Sequence, residues 1–171
     1  MAGRRTTLAF GGEQAESKMA TMKPYFSDPA SVVAAFIHQM HCWEALAGSL
    51  QASAQARHRP DESAFLHPEE VRVSDLIHQI PPLIVALYLT ERKRAYVPSG
   101  SYSTPPEYDP ATETVTRVVP KTSSTVIVET DRTSIYMGDV REYVLKKKGG
   151  IWLIDSVSAM LGAKKTKLTL V

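Results

Sequence analysis

Apolar residues recur at two different periods along this chain. From Pro29 the spacing is helical: Val32, Phe36, Met40, Trp43, Ala47 and Leu50 follow one another at steps of three or four. Ser27 or Asp28 serves as N-cap, and Pro29 stands where a first helical residue tolerates proline. The pattern predicts a helix over Pro29 to about Ala56, ended by "RHRPDES". A second, shorter helix is expected over Pro68 to Ile80, with Val71, Leu76 and Ile80 on its apolar side, interrupted by Pro81 and Pro82. The run "LIVALYLTERKRAY" reads either as a third helix or as a buried strand, because so short a run carries no decisive period.

After Gly100 the period becomes two. "TETVTRVV" places Val115, Arg117 and Val119 on one face, "STVIVET" is β-branched, and "IYMGDVREYVLKKK" reads as a long strand with a bulge at Gly138. Gly149-Gly150 supplies the positive φ that a tight hairpin needs. The tail after Leu161 reads as frayed or as a late edge strand. Helices first and about four antiparallel strands afterwards indicate an α+β fold, with N-terminal helices packed on a bent antiparallel sheet.

Length and charge narrow the classes. The 171 residues suit one domain, read as residues 25–160 between a disordered leader (1–24) and a basic tail (161–171). Met19 and Met22 are alternative starts within the leader. The 20 basic and 18 acidic residues give a net charge of +2, which argues against a nucleic-acid binder. The single cysteine, Cys42, excludes an intrachain disulfide and suits a reducing, cytoplasmic setting. The longest apolar run, "IPPLIVALYL", is far short of the roughly 20 residues of a membrane span.

Two segments carry a resemblance. "YSTPPEYDPATETV" contains Pro105, Pro106, Glu107, Tyr108, Asp109 and Pro110. "REYVLKKKGGIWLIDSV" contains Tyr143, Leu145, Lys147, Trp152, Leu153, Ile154, Asp155 and Ser156. Together with the order of elements they resemble the NTF2-like, or cystatin-like, immunity proteins of bacterial polymorphic (Rhs-type) toxin systems. The resemblance spans about Phe26 to Ser158. It implies a cone fold and a protein that binds and neutralises a cognate toxin domain, without catalysis, cofactor or metal. Pro105, Pro106, Tyr143, Trp152 and Asp155 are then structural residues of the family motifs.

Charge suggests where such a partner would sit. Asp61, Glu62, Glu69, Glu70 and Asp75 form an acidic stretch suited to a basic toxin, and Glu107, Tyr108 and Asp109 are further contact candidates. The flanking prolines make burial of that second group unexpected. The alternative is a small-molecule enzyme or binding protein, in which His38, Tyr88, Tyr136, Tyr143 and Asp155 line the cone. There strand alternation groups Asp155 with Ile151, Leu153 and Val157. A third reading is a homodimer through the open face of the sheet. His38 and His41 share a helix face but lack a third ligand, so no metal site is expected.

Overall fold

The structure, a computed structural model, describes residues 28–59, 66–92, 102–133, 140–161 and 164–168. Two helices, α1 (Pro29–Arg57) and α2 (Pro68–Tyr88), precede five strands: β1 (Glu113–Thr122), β2 (Thr125–Arg132), β3 (Val140–Lys148), β4 (Ile151–Leu161) and β5 (Lys164–Leu168). The strands form one antiparallel sheet in chain order, β1-β2-β3-β4-β5. The fold is α+β, with the four expected strands and, in the basic tail, the late edge strand that is one of that tail's two readings: β5 pairs with the end of β4. The expected bulge at Gly138 and the whole of the leader fall outside the described residues.

α1 starts where its cap predicts. Asp28 is extended, and its carboxylate accepts from the Ser31 N–H at 2.9 Å. The stripe Val32, Phe36, Met40, Trp43 and Ala47 is buried, with Leu50 half-buried beside it. The helix packs on α2, β1, β2 and β4.

α2 departs from expectation. It runs unbroken through Pro81 and Pro82 to Tyr88. A proline inside a helix removes one donor and leaves the carbonyl four residues earlier without its partner. Here the carbonyl opposite Pro81 belongs to Ile77, and it accepts from the Trp43 indole N–H at 3.1 Å. The helix therefore keeps that acceptor satisfied through α1. Its buried face is Ile77, Pro81, Ile84 and Tyr88, at steps of four, three and four. The expected face is wrong: Val71 and Leu76 point to solvent and Ile80 is half-buried. Reading Pro81 as a stop hid it as a member of the apolar stripe.

Beyond Tyr88 the chain turns extended. Leu89 bridges Ile154 in parallel, and the Thr90 N–H donates to the Ile154 carbonyl at 2.9 Å. Gly149 and Gly150 turn from β3 to β4 with φ of 56° and 84°. Trp152, the second residue of β4, is buried.

Of the three register shifts among the described strands, two set the inward faces. In β1, Val115 pairs with Thr130 and Arg117 with Glu129, so Thr116 is unpaired and the face switches. Val115 turns inward while Arg117 turns outward to a two-pronged ion pair with Glu129. The three residues expected on one face are thus divided. In β4, Ile154 pairs with Leu145 and Ser156 with Val144, so Asp155 is the extra residue of a bulge. Trp152 and Ile154 face the core before it, and Val157 after it.

Candidate functional site

The interior where α1 meets the sheet is half aromatic and half ionic. Phe36 stands edge-on to three tyrosine rings, Tyr88, Tyr108 and Tyr143, with centroids 6.1, 5.5 and 6.4 Å away. Next to them lies a cluster of charged side chains buried by the sheet and by the loop before β1.

Glu113 opens β1 on the inward face, directly opposite Arg132 of β2. Arg141 of β3 shares that face with Tyr143 and Leu145 by strand alternation. One oxygen of Glu113 accepts from the Thr130 hydroxyl and the Tyr143 hydroxyl, each at 2.8 Å. The other accepts from Arg141 at 3.0 Å and faces Arg132 Nε at 3.4 Å. The second prong of Arg141 donates to the Glu107 carboxylate, and its guanidinium lies 4.6 Å above the Tyr108 ring centre. Burial works against the Arg141 charge, but Tyr143, Tyr108, Glu113 and Glu107 outweigh it and keep the guanidinium firmly protonated. Burial drives the Tyr108 and Tyr143 hydroxyls well above the ordinary phenol range.

The loop Thr104–Pro110 is bolted to this cluster. Its Tyr108 N–H donates to the Glu44 carboxylate of α1 at 3.0 Å, and its Tyr108 carbonyl accepts from His41 Nδ1 at 2.9 Å. Arg132 donates to the Glu107 carbonyl at 2.7 Å. Asp109 closes the loop: its side chain accepts from the Ala111 N–H at 2.9 Å and its carbonyl from the Glu113 N–H at 2.8 Å. Burial raises the Glu44 carboxyl, the Tyr108 N–H partly offsets this, and the neighbouring Glu107 carboxylate adds to the rise.

These contacts sort the residues expected at the site. Tyr108 is buried at 3% exposure, so it anchors the loop and offers no side chain to a partner. The prolines do not keep the segment out: Pro105 and Pro110 remain exposed while Tyr108 plugs inward between them. Glu107 is half-buried and committed to Arg141; Asp109 is half-buried beside His41. Glu69 is exposed at the start of α2. Glu70 is not a free surface acid, because the His67 N–H and then Arg57 bind its carboxylate and hold it below its ordinary range. Asp61 and Glu62 lie outside the described residues, as does Tyr136.

Asp155 takes no place beside the tyrosines. The β4 bulge aims it at the chain leaving α2, where the Thr90 hydroxyl donates at 2.9 Å, Lys146 stands at 3.2 Å and Arg92 at 3.3 Å. Burial pushes its carboxyl up, but Thr90, Lys146 and Arg92 prevail and hold it below the ordinary aspartate value. Its expected grouping with Val157 fails because the bulge shifts the alternation. His38 is exposed and reaches Cys42 at 3.7 Å, whereas His41 serves the loop. Among the described residues no three His, Cys, Asp or Glu side chains stand together as metal ligands. No helix there is long and apolar enough to cross a membrane.

Sequence reasoning missed Glu44, Glu113, Thr130, Arg132 and Arg141. A signal was present. Glu44 falls in the stripe between Met40 and Ala47, and Arg141 alternates with Tyr143 and Leu145. A charge at a core-facing position is the mark of an internal pair. No family model matches the chain, and neither a curated protein nor a solved structure matches it.

Proposed function

We propose that this chain is a binding protein of the NTF2-like cone type that neutralises a toxin domain by occluding it, as the resemblance of its two motifs implies. One observation carries the reading above all. The loop 104–111 is held by Glu44 and His41 of α1, Arg132 of β2 and Arg141 of β3, yet shows an exposed rim of Pro105, Pro110 and Ala111. A loop fixed before it meets a partner loses little conformational freedom on binding, which favours tight association. An exposed acid such as Glu69 near the start of α2 suits a basic partner.

The test is co-expression with the toxin domain encoded beside this chain's own reading frame. The expected result is rescue from that toxin and not from unrelated toxin domains. Ala111→Arg, on the exposed rim, should weaken rescue in a folded protein, and Asp155→Asn should leave it intact. Absence of rescue by the unaltered chain, or loss of rescue in a folded Asp155→Asn protein with Ala111→Arg neutral, would refute the proposal.

A further inference from the structure

α1 and α2 are tied at two heights. The Trp43 indole N–H donates to the Ile77 carbonyl, and nearer the start of α2 the Arg57 guanidinium meets the Glu70 carboxylate. Between these ties the inward row of α2 runs Glu70, Ser74 and Ile77, at steps of four and three, and continues through Pro81, Ile84 and Tyr88. Position 74 therefore calls for an aliphatic side chain and holds a short polar one. Ala47 of α1, on the same space, is equally short. A cavity of about 230 Å³ remains between the helices.

The lining says what fits. Its apolar wall is Ala47, Leu50, Leu66 and Ile77, and the Tyr102 ring, edge-on to Trp43 at 6.5 Å, adds an aromatic side. Its polar members come in two pairs: the Tyr102 hydroxyl donates to the Gln51 amide oxygen, and the Ser74 hydroxyl stands 3.3 Å from His78 Nδ1. Among the described residues that line it there is no carboxylate, lysine or arginine. A charged guest would lose its hydration with no fixed opposite charge to replace it, so the lining selects a neutral one. An apolar cavity of about 150 Å³ takes a benzene ring, so 230 Å³ has room for one ring and a few substituent atoms. A rigid ring also gives up less freedom on binding than a flexible chain, and Tyr102 offers it an aromatic partner. Ser74, Gln51 and Tyr102 can each donate and accept, which suits a hydroxyl on that ring.

We infer that the cavity between α1 and α2 is a binding site for a small neutral phenol, with the ring against Leu50, Ile77 and Tyr102 and the hydroxyl bonded among Gln51, Ser74 and His78. The inference is independent of the toxin-binding reading, since the cavity uses none of the rim residues Pro105, Pro110 and Ala111.

Titration of the isotope-labelled full chain with p-cresol, followed by amide chemical shifts, tests it. The shifts should saturate with a Kd on the order of 1 mM or below. They should be largest at Ser74, Ile77 and His78, and the Trp43 indole N–H should move with them because it bonds the Ile77 carbonyl. Toluene should bind several-fold more weakly for want of the hydroxyl, and p-toluate, charged at neutral pH, more weakly still. Ser74→Leu completes the aliphatic row of α2, so that variant should fold, fill the cavity and lose binding by about tenfold or more. Tyr102→Ala removes one wall from outside the helices and should weaken binding several-fold. No saturable shift at about 10 mM p-cresol, shifts spread evenly over the chain, toluene or p-toluate binding as tightly as p-cresol, or full binding by a folded Ser74→Leu or Tyr102→Ala protein would each overturn the proposal.

Discussion

The indole N–H of Trp43 donates to the carbonyl of Ile77 at 3.1 Å, filling the acceptor that Pro81 leaves empty. Residues 34 apart thus complete one turn of α2. Trp43→Phe should keep most of the packing and strand the buried carbonyl, at about 1–3 kcal/mol. Adding Pro81→Ala restores an N–H four residues after Ile77, so the double variant should lose less than the two single losses combined. Urea unfolding of all four proteins checks this, and strict additivity would mean that the indole bond does not serve the proline.

Arg141 is fully buried and joins Glu113 to Glu107. Arg141→Met should leave Glu113 short of its main charge partner and cost about 3–5 kcal/mol. Combining it with Glu113→Gln should cost less than the sum of the single changes, because the second removes the orphaned charge. A loss under about 1 kcal/mol for Arg141→Met would show that solvent reaches the cluster.

Glu44 gives stability a downward slope with pH. Its carboxyl, raised by burial above the ordinary 4.5, holds a proton in the folded chain where the unfolded chain has released one. Stability from this group therefore falls as pH rises from about 4.5 through the folded value, and the full cost stands above it. Glu44→Gln still offers an oxygen to the Tyr108 N–H and carries no charge. Its advantage over the native chain should grow through that window. Denaturation midpoints between pH 4 and 8 read the difference, and a constant gap would contradict it.

Asp155 has the opposite sign. Its carboxyl is held below the ordinary 3.8, so its contribution is present at neutral pH and is lost as pH falls through the folded value. Asp155→Asn should cost about 1 kcal/mol at pH 7, discounted because Lys146 and Arg92 are partly exposed. The cost should vanish in strong acid. Persistence of the full difference at pH 2 would assign it to packing and not to charge.

Much of the fold was legible because the deciding signals were local. Asp28, Pro29 and an unbroken stripe define α1 without reference to anything distant. Gly149-Gly150 does the same for the β3–β4 hairpin. The failures lie where a distant partner reverses a local rule. Pro81 breaks helices in isolation, but Trp43 supplies the missing donor. Asp155 obeys alternation until β3 and β4 slip by one residue, a shift set by pairing across the sheet. The loop before β1 illustrates the same limit at the site. Its letters point to a surface turn, and only the inward faces of β1, β2 and β3, brought together, reveal the ion cluster that pulls Tyr108 under.

The order of elements has a consequence for synthesis. The sheet is a meander in which every strand pairs with its chain neighbour, so it assembles by adding one hairpin after another. α1 packs on β1, β2 and β4, which follow it by more than fifty residues. On the ribosome, at about 5–20 residues per second, Phe36, Met40 and Trp43 wait several seconds for the strands that will cover them. α2 emerges in that interval and brings the Ile77 carbonyl to Trp43. Among the described elements the helix pair is then the first native shelter open to the nascent stripe, and a chain that fails to form it is exposed to chaperones and to its neighbours before β1 is made.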